Sequence, residues 1–422
     1  MRTILKSIAI CTILGFSTLV NAQNNRDLDN FRQPDKRGIN VFESPKDTAS
    51  TFDGVKVRVG GASTLQYQAL DHENATGATA LIPIGNNFNL ATANLDLDVA
   101  LAKGVRMHLR TYLSSRHHPE PYVKGGYFQI DNLDFIKEGL MAETMKYVTI
   151  NIGHMENNYG DAHFRRSDNA QAIYNPFVGN YIMDAFTTEV GAEVYFRKNG
   201  FISMIGATNG KLNQGANNPS ATSPSVMAKL GYDKQMNDDL RLRLTGSVYN
   251  SAYSARTYLY GGDRAGSRYY FVMEPVGATS AGNYSSGLVN PGFTNKLTAI
   301  MINPFVKYKG FEFFGMYETV SGRKFAETDR RDFTQLGADL LYRFGKDENL
   351  YVAGRYNAVS GELDATQDID VQRVSLGAGW FMTKNILAKI EYVNQTYDGY
   401  TPGSILDGGK FSGFIAEAVI SF

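Results

Sequence analysis

The chain has 422 residues, and its 42 Lys and Arg are matched by 42 Asp and Glu, a balance that argues against a nucleic-acid-binding surface. A mean hydropathy of −0.28 excludes a bundle of membrane helices, each of which needs an apolar run of about 20 residues. Gly 42, Tyr 25 and Phe 25 against Pro 12 favour strands joined by turns.

Residues 1–22 read as a secretory signal peptide. Arg2 and Lys6 supply the charged start, Ile8 to Val20 the apolar core, and Val20-Asn21-Ala22 a small-residue cleavage site. Cys11 lies early in that core, so cleavage leaves no cysteine for a disulfide, a thiolate metal site or a thiol nucleophile. Cleavage also removes Arg2 and Lys6, leaving 40 basic residues against 42 acidic. Residues 23–53 are polar and aperiodic, with Pro34 and Pro45, and read as a flexible segment. The alternative is a small plug built on Phe31, Ile39, Val41 and Phe42.

From Val55 side chains alternate with the two-residue period of a strand. Val55, Val57 and Val59 oppose Lys56 and Arg58; Ala93, Leu95, Leu97 and Val99 oppose Asn94, Asp96 and Asp98. After the turn Ala102–Gly104, Val105, Met107 and Leu109 oppose Arg106, His108 and Arg110. A face carrying three ionisable side chains must see water, whereas the continuous apolar face needs lipid or a core. Further strands are predicted near 123–137, 144–154, 185–198, 200–209, 224–234 and 239–251. The remainder fall near 295–309, 311–320, 331–344, 349–359, 370–383, 385–397 and 409–422, making sixteen in all. Tight connections such as Lys309-Gly310 alternate with long ones such as 155–184, 252–294 and 360–369. Aromatics, among them Phe196, Tyr232, Tyr308, Tyr342 and Trp380, gather beside the tight turns. The pattern predicts an all-β fold, a transmembrane antiparallel β-barrel over residues 54–422. No repeat of 40 to 50 residues marks a propeller.

The last strand reads F-I-A-E-A-V-I-S-F and stops on Phe422. Topology, export signal and terminal Phe together resemble the sixteen-stranded Gram-negative outer-membrane porins, including the phosphate-selective group. The resemblance implies passive diffusion of small hydrophilic solutes and ions, anions such as phosphate included, and no enzymatic activity. It implies integral placement in outer-membrane lipid, periplasmic short turns and termini, and assembly machinery that reads Phe422. It also implies a homotrimer, for which small outward residues at the seam (Gly61, Ser63, Ala416 and Ala418) offer a contact; packing against lipid is the alternative use of the same patch. The third external loop of such porins narrows the pore, which places 155–184 in the lumen, with Glu156, Tyr159, Asp161, His163, Arg165, Arg166 and Asp168 at the constriction. The opposing alternative is a loop lying on the rim.

The water-facing wall is predicted to carry Arg58, Arg106, His108, Arg110, Lys229, Arg241, Arg243, Arg355, Arg373 and Lys389. Asp96, Asp98, Asp131, Glu189, Glu193, Asp339, Glu391 and Glu417 share that face, so cross-strand pairing competes with an anion ladder. No cofactor or metal is implied. His117-His118-Pro119-Glu120 reads as solvated loop, and His154, Asp161 and His163 are too loosely spaced for zinc. Two alternatives to a porin remain: a barrel scaffold whose lumen is closed by 155–184 and 252–294, and a barrel hydrolase built on one histidine.

Overall fold

The computed structural model describes residues 28–46, 50–114, 118–167, 170–210, 223–252, 257–262 and 270–422. Residues 1–22, His117 and Asp168 therefore lie outside the described residues. Among those described, sixteen strands form one closed antiparallel barrel in which each strand pairs with its chain neighbours. They are β1 (Lys56–Glu73), β2 (Asn87–Ala102), β3 (Val105–Ser114), β4 (His118–Ile130), β5 (Val148–Glu156), β6 (Thr188–Lys198), β7 (Phe201–Thr208) and β8 (Ser225–Gln235). There follow β9 (Leu240–Ser251), β10 (Lys296–Tyr308), β11 (Phe311–Arg323), β12 (Arg331–Phe344), β13 (Leu350–Asp364), β14 (Gln367–Thr383), β15 (Ile386–Asp398) and β16 (Lys410–Ser421). The ring closes where β1 pairs with β16, with Ser63 opposite Ile420.

Closure leaves no sheet edge to satisfy, and the two faces then divide by chemistry. Leu230, Leu340, Val352, Leu376 and Phe414 are about half exposed on the outside, while Glu318, Gln335 and Asp339 are fully buried inside. An exposed apolar ring around a buried polar interior inverts the soluble pattern and is what a bilayer demands. At one end the connections are tight. Asn199 and Gly200, at φ 53° and 88°, form the left-handed pair that turns β6 into β7.

Three expectations change. The loop foreseen at 360–369 is strand, because inward Val359, Ile369 and Val371 carry the alternation on and β13 turns into β14 at 365–366. The strand foreseen at 123–137 ends at Ile130, and the next begins only at Val148. Asp131 and Asn132 interrupt the pattern there, and the Asn132 side chain accepts from the Asp134 backbone N–H at 3.2 Å in a local turn. Finally, residues 28–46 are not a free lead-in: Leu28, Asn30, Asp35, Asn40 and Phe42 are buried.

Candidate functional site: the barrel interior

Three segments fill the barrel: the N-terminal segment, the connection from β5 to β6, and the described parts of the connection from β9 to β10, whose Leu259, Tyr260, Tyr270, Val272 and Phe293 are buried and whose Tyr260 donates to Glu318 at 2.6 Å. The N-terminal one enters at the tight-turn end and is clasped by Asp29, whose carboxylate accepts from the Thr51 backbone N–H at 2.8 Å and the Thr51 hydroxyl at 2.7 Å. Inside, Phe42 packs edge-on against Phe305 and Phe164, with ring centroids 5.3 and 5.9 Å apart. Arg32 lies 3.7 Å over the Tyr174 ring and donates to the Phe164 carbonyl at 3.0 Å. The segment thus seats on the second filler, the connection from β5 to β6 (residues 157–187), rather than on the wall alone.

That connection crosses to the far side of the barrel, and the inward side chains of β12 to β15 receive it. Glu391 accepts the backbone N–H groups of Val178 and Gly179 at 2.7 and 2.9 Å and the Tyr270 hydroxyl at 2.9 Å. Two residues away on the same face, the Lys389 ammonium donates to the carbonyls of Ala172 and Phe177 at 2.9 Å and pairs with Glu417 at 2.9 Å. Asn357 and Gln335 accept the N–H groups of Ile182 and Met183 at 2.6 and 2.9 Å. A buried loop must satisfy its backbone somewhere, and here polar wall residues take the place of a ladder.

Nearer the turn end, wall, loop and N-terminal segment meet in one charge network. Arg243 of β9 holds Asp161 of the loop at 2.8 Å and Glu43 of the N-terminal segment at 2.8 Å, and Lys229 of β8 reaches Asp161 at 3.0 Å. Burial alone would raise the Glu43 carboxyl, but Arg243 and Lys229 outweigh it and hold it down at about 2. The same two cations hold Asp161 well below the carboxylate range despite its burial. Beside it, Glu312 accepts from Arg165 at 2.7 Å, from Arg343 at 3.1 Å and from Asn40 at 2.7 Å.

One side is left unfilled. A cavity of about 180 Å³ runs along the inner faces of β2 to β6, bounded opposite by Phe31, Arg32 and Glu43 of the N-terminal segment and by His163, Phe164 and Tyr174 of the loop. Its wall carries Asp96, Asp98, Arg106, His108, Arg110, Lys124, Tyr127, Asn151 and Arg197. The charges are largely neutralised in place. Arg110 grips Asp96 through two bonds of 2.7 and 2.8 Å, and Asp98 gathers His108 at 2.8 Å, Arg58 at 3.2 Å and Arg106 at 3.5 Å. Phe31 lies about midway between the two guanidinium groups, 5.0 Å from Arg58 and 5.3 Å from Arg106.

The ten basic wall residues read from the sequence, together with Asp96 and Asp98, all point inward, but they divide into two main sets. Asp96, Asp98, Arg106, His108 and Arg110 line the cavity, with Arg58 behind Asp98. Lys229, Arg243, Arg355, Arg373 and Lys389 are covered by protein and do not face open water, because each anchors a filling segment. Arg241 pairs with Asp233 at 2.6 Å and donates to the Asn40 carbonyl. Of the loop residues, Glu156 ends β5 and faces the cavity, accepting from Gln171 at 2.7 Å. Tyr159 donates to Glu318 at 3.0 Å, and Arg166 pairs with Asp184 at 2.8 Å. His163 lines the cavity, with burial pushing its imidazole below the ordinary value.

Sequence reasoning missed Arg32, Asn40 and Glu43 as interior residues, and placed Phe31 inside only under the plug alternative. The aromatics Phe31 and Phe42 were the signal, set in a segment too polar to suggest a core. It also missed Lys124 and Tyr127, because a β-bulge near Arg110/Thr111 and the ensuing Gly125-Gly126 blur the alternation of β4, and it missed Asn151 on β5.

No protein-family model matches the chain, and no curated protein matches it. Solved structures do. An anion-selective porin from Comamonas acidovorans aligns at TM-score 0.54 and 11% identity over 87% of this chain and 100% of that one. The outer-membrane channel DcaP of Acinetobacter baumannii aligns at TM-score 0.52 and 11% identity, covering 87% and 98%. Salmonella typhi OmpF, solved with daunomycin, aligns at TM-score 0.51 and 13% identity, covering 88% and 98%. At such identities the likeness concerns the fold, which is that of an outer-membrane β-barrel.

Proposed function

We propose that the protein is an integral outer-membrane channel through which small hydrophilic solutes and ions diffuse passively, along an off-centre path rather than the barrel axis. The tight turns and both termini then lie on the periplasmic side. The observation that carries this reading is the cavity beside β2 to β6: its wall side is charged and polar and its opposite side is formed in part by Phe31, Phe164 and Tyr174, while the β8 to β16 half of the interior is packed with protein. Similar folds that serve as a porin and a channel, the anion-selective porin among them, support a channel. Five basic residues (Arg32, Arg106, Arg110, Lys124, Arg197) and five acidic ones (Glu43, Asp96, Asp98, Glu156, Glu193) line the cavity, which favours weak charge selection over a phosphate-selective ladder. Passive transport needs no catalytic group, and none is assigned.

The second reading, a scaffold barrel with a closed lumen, is favoured by the burial of Asp161, Lys229 and Arg243 across the bore. Planar-bilayer recording under a salt gradient decides between them. Discrete openings of small unitary conductance and a reversal potential near zero are expected of the channel; a silent bilayer loaded with folded protein would leave the scaffold.

A further inference from the structure

Seven connections lie at the tight-turn end, and one is out of proportion. Six span two to five residues, whereas the link from β4 to β5 takes all of 131–147. Its length is not slack chain. Asp134 pairs with Lys103 of the neighbouring turn at 2.8 Å and accepts the Gly139 N–H at 3.0 Å, and a one-turn helix, Ala142–Met145, follows. Met145 is buried, which seats this structure on the barrel.

An ordered segment of this kind would be expected to hide its large apolar side chains. It does the reverse. Phe135, Ile136 and Met141 are 52%, 64% and 56% exposed, about as much as the outward side chains of the barrel wall. The wall next to the segment explains what covers them. Phe128 on β4 and Ile152 on β5 are exposed on the outer face, and the Tyr147 ring, at the end of the segment, meets that of Phe196 in the outward aromatic belt at 6.0 Å. The apolar surface of the segment therefore continues the surface that a bilayer already covers. Lys137, Glu138, Glu143 and Lys146 lie among the apolar residues, with Lys146 paired to Glu143, so the apolar side chains are flanked by headgroup-compatible charges of both signs.

We propose that residues 131–147 form a membrane-interface anchor, seating Phe135, Ile136 and Met141 in the headgroup–acyl boundary of the leaflet at the turn end. The partner is phospholipid. The depth and tilt of the barrel are thereby restrained at one point of its rim, on the side of the strands that line the cavity.

The inference rests on the membrane-barrel reading, and the test separates the two. The chain holds a single tryptophan, Trp380, which lies in the outward belt at the turn end and is half exposed. The double variant Trp380→Phe, Phe135→Trp and a second, Trp380→Phe, Ile136→Trp, are each reconstituted into phosphatidylcholine vesicles brominated on the upper acyl chain. Folding is checked by heat-modifiable migration on gels. Quenching of the introduced indole to at least half the extent seen for Trp380 in the unaltered protein is expected. If Trp380 is quenched but both introduced indoles respond only to aqueous iodide, the anchor is overturned while the barrel stands. If Trp380 itself is not quenched, the membrane barrel falls and the anchor with it.

Discussion

Glu43 and Arg243, 200 positions apart, meet in a two-bond contact, Nη1 to Oε2 and Nη2 to Oε1, each 2.8 Å long. Arg243 turns its Nε to Asp161 at 2.8 Å, so one guanidinium ties the N-terminal segment, the inserted loop and the wall together. The pair is buried, where removing one partner strands the other charge and costs about 3–5 kcal/mol. Arg243→Met leaves Glu43 and Asp161 to share Lys229, 3.9 and 3.0 Å away, as their remaining cation, whereas Glu43→Gln leaves Arg243 paired with Asp161. Urea unfolding in detergent micelles is expected to show a clearly larger loss for Arg243→Met. Single-channel recording of Glu43→Gln is expected to show larger or noisier openings as the N-terminal segment loosens.

The same contact predicts a flat acid response. The Glu43 carboxyl is held at about 2 in the folded protein, below its ordinary value of 4.5. A depressed folded value means that the stabilisation is complete above about 4.5 and is lost as pH falls through 4.5 toward 2. Unitary conductance is therefore expected to hold steady from pH 7 to pH 5 and to become unstable only well below pH 4. A transition near pH 6 would show that another group controls the seat of the segment.

How far the sequence carried the fold can be judged from β14. Val374, Leu376 and Trp380 are all about half exposed on the outer face, while Arg373 and Ser375 are buried inside, as the alternation requires. Period two is a local property, so it survives without any knowledge of neighbours. The filling of the bore is not local. Nothing near Lys389 in the chain shows that the carbonyls of Ala172 and Phe177, more than 200 positions away, will surround its ammonium. Nor does the polarity of residues 28–46 foretell burial, since Asn40 and Glu43 are buried by bonding to Arg165 and Arg243 and not by hydrophobicity.

Lys389 supplies a second test of the filled interior. Replacing it with Met removes the donor from the Ala172 and Phe177 carbonyls and leaves Glu417 without its ammonium partner. Unsatisfied buried acceptors cost roughly 1–3 kcal/mol each, enough to free the loop tip while the sheet ladder keeps the barrel closed. Proteinase K digestion of the folded variant is expected to cut within 170–183 where the parent resists. Its conductance is expected to rise severalfold as the β12 to β15 side opens.

The off-centre path predicts an asymmetric pattern of chemical block. Cys11 is the one cysteine of the chain, so in a protein that also carries Cys11→Ser an introduced thiol reports alone. Asn151 lines the cavity on β5, whereas Gln335 on β12 is fully buried against Met183 of the loop. Methanethiosulfonate reagents are expected to reduce current through Asn151→Cys within seconds and to leave Gln335→Cys unmodified. Equal block at both positions would place the path on the axis.

Phe422 separates a role in folding from a role in recognition. Its backbone closes the ring, with its N–H bonded to the Gly61 carbonyl and its carbonyl bonded to the Gly61 N–H, both at 3.0 Å. Any residue can make those two bonds. The Phe422 ring, 54% exposed, contributes little to the packed structure. Phe422→Ser is therefore expected to leave the unfolding midpoint of refolded protein within a few degrees of the parent, as surface changes of about 0.5 kcal/mol do. If the ring is what the assembly machinery reads, the amount of folded barrel recovered from outer membranes will drop severalfold for the same variant. A matched fall in refolded stability would instead make the ring a structural element, and an unchanged yield would remove it from recognition.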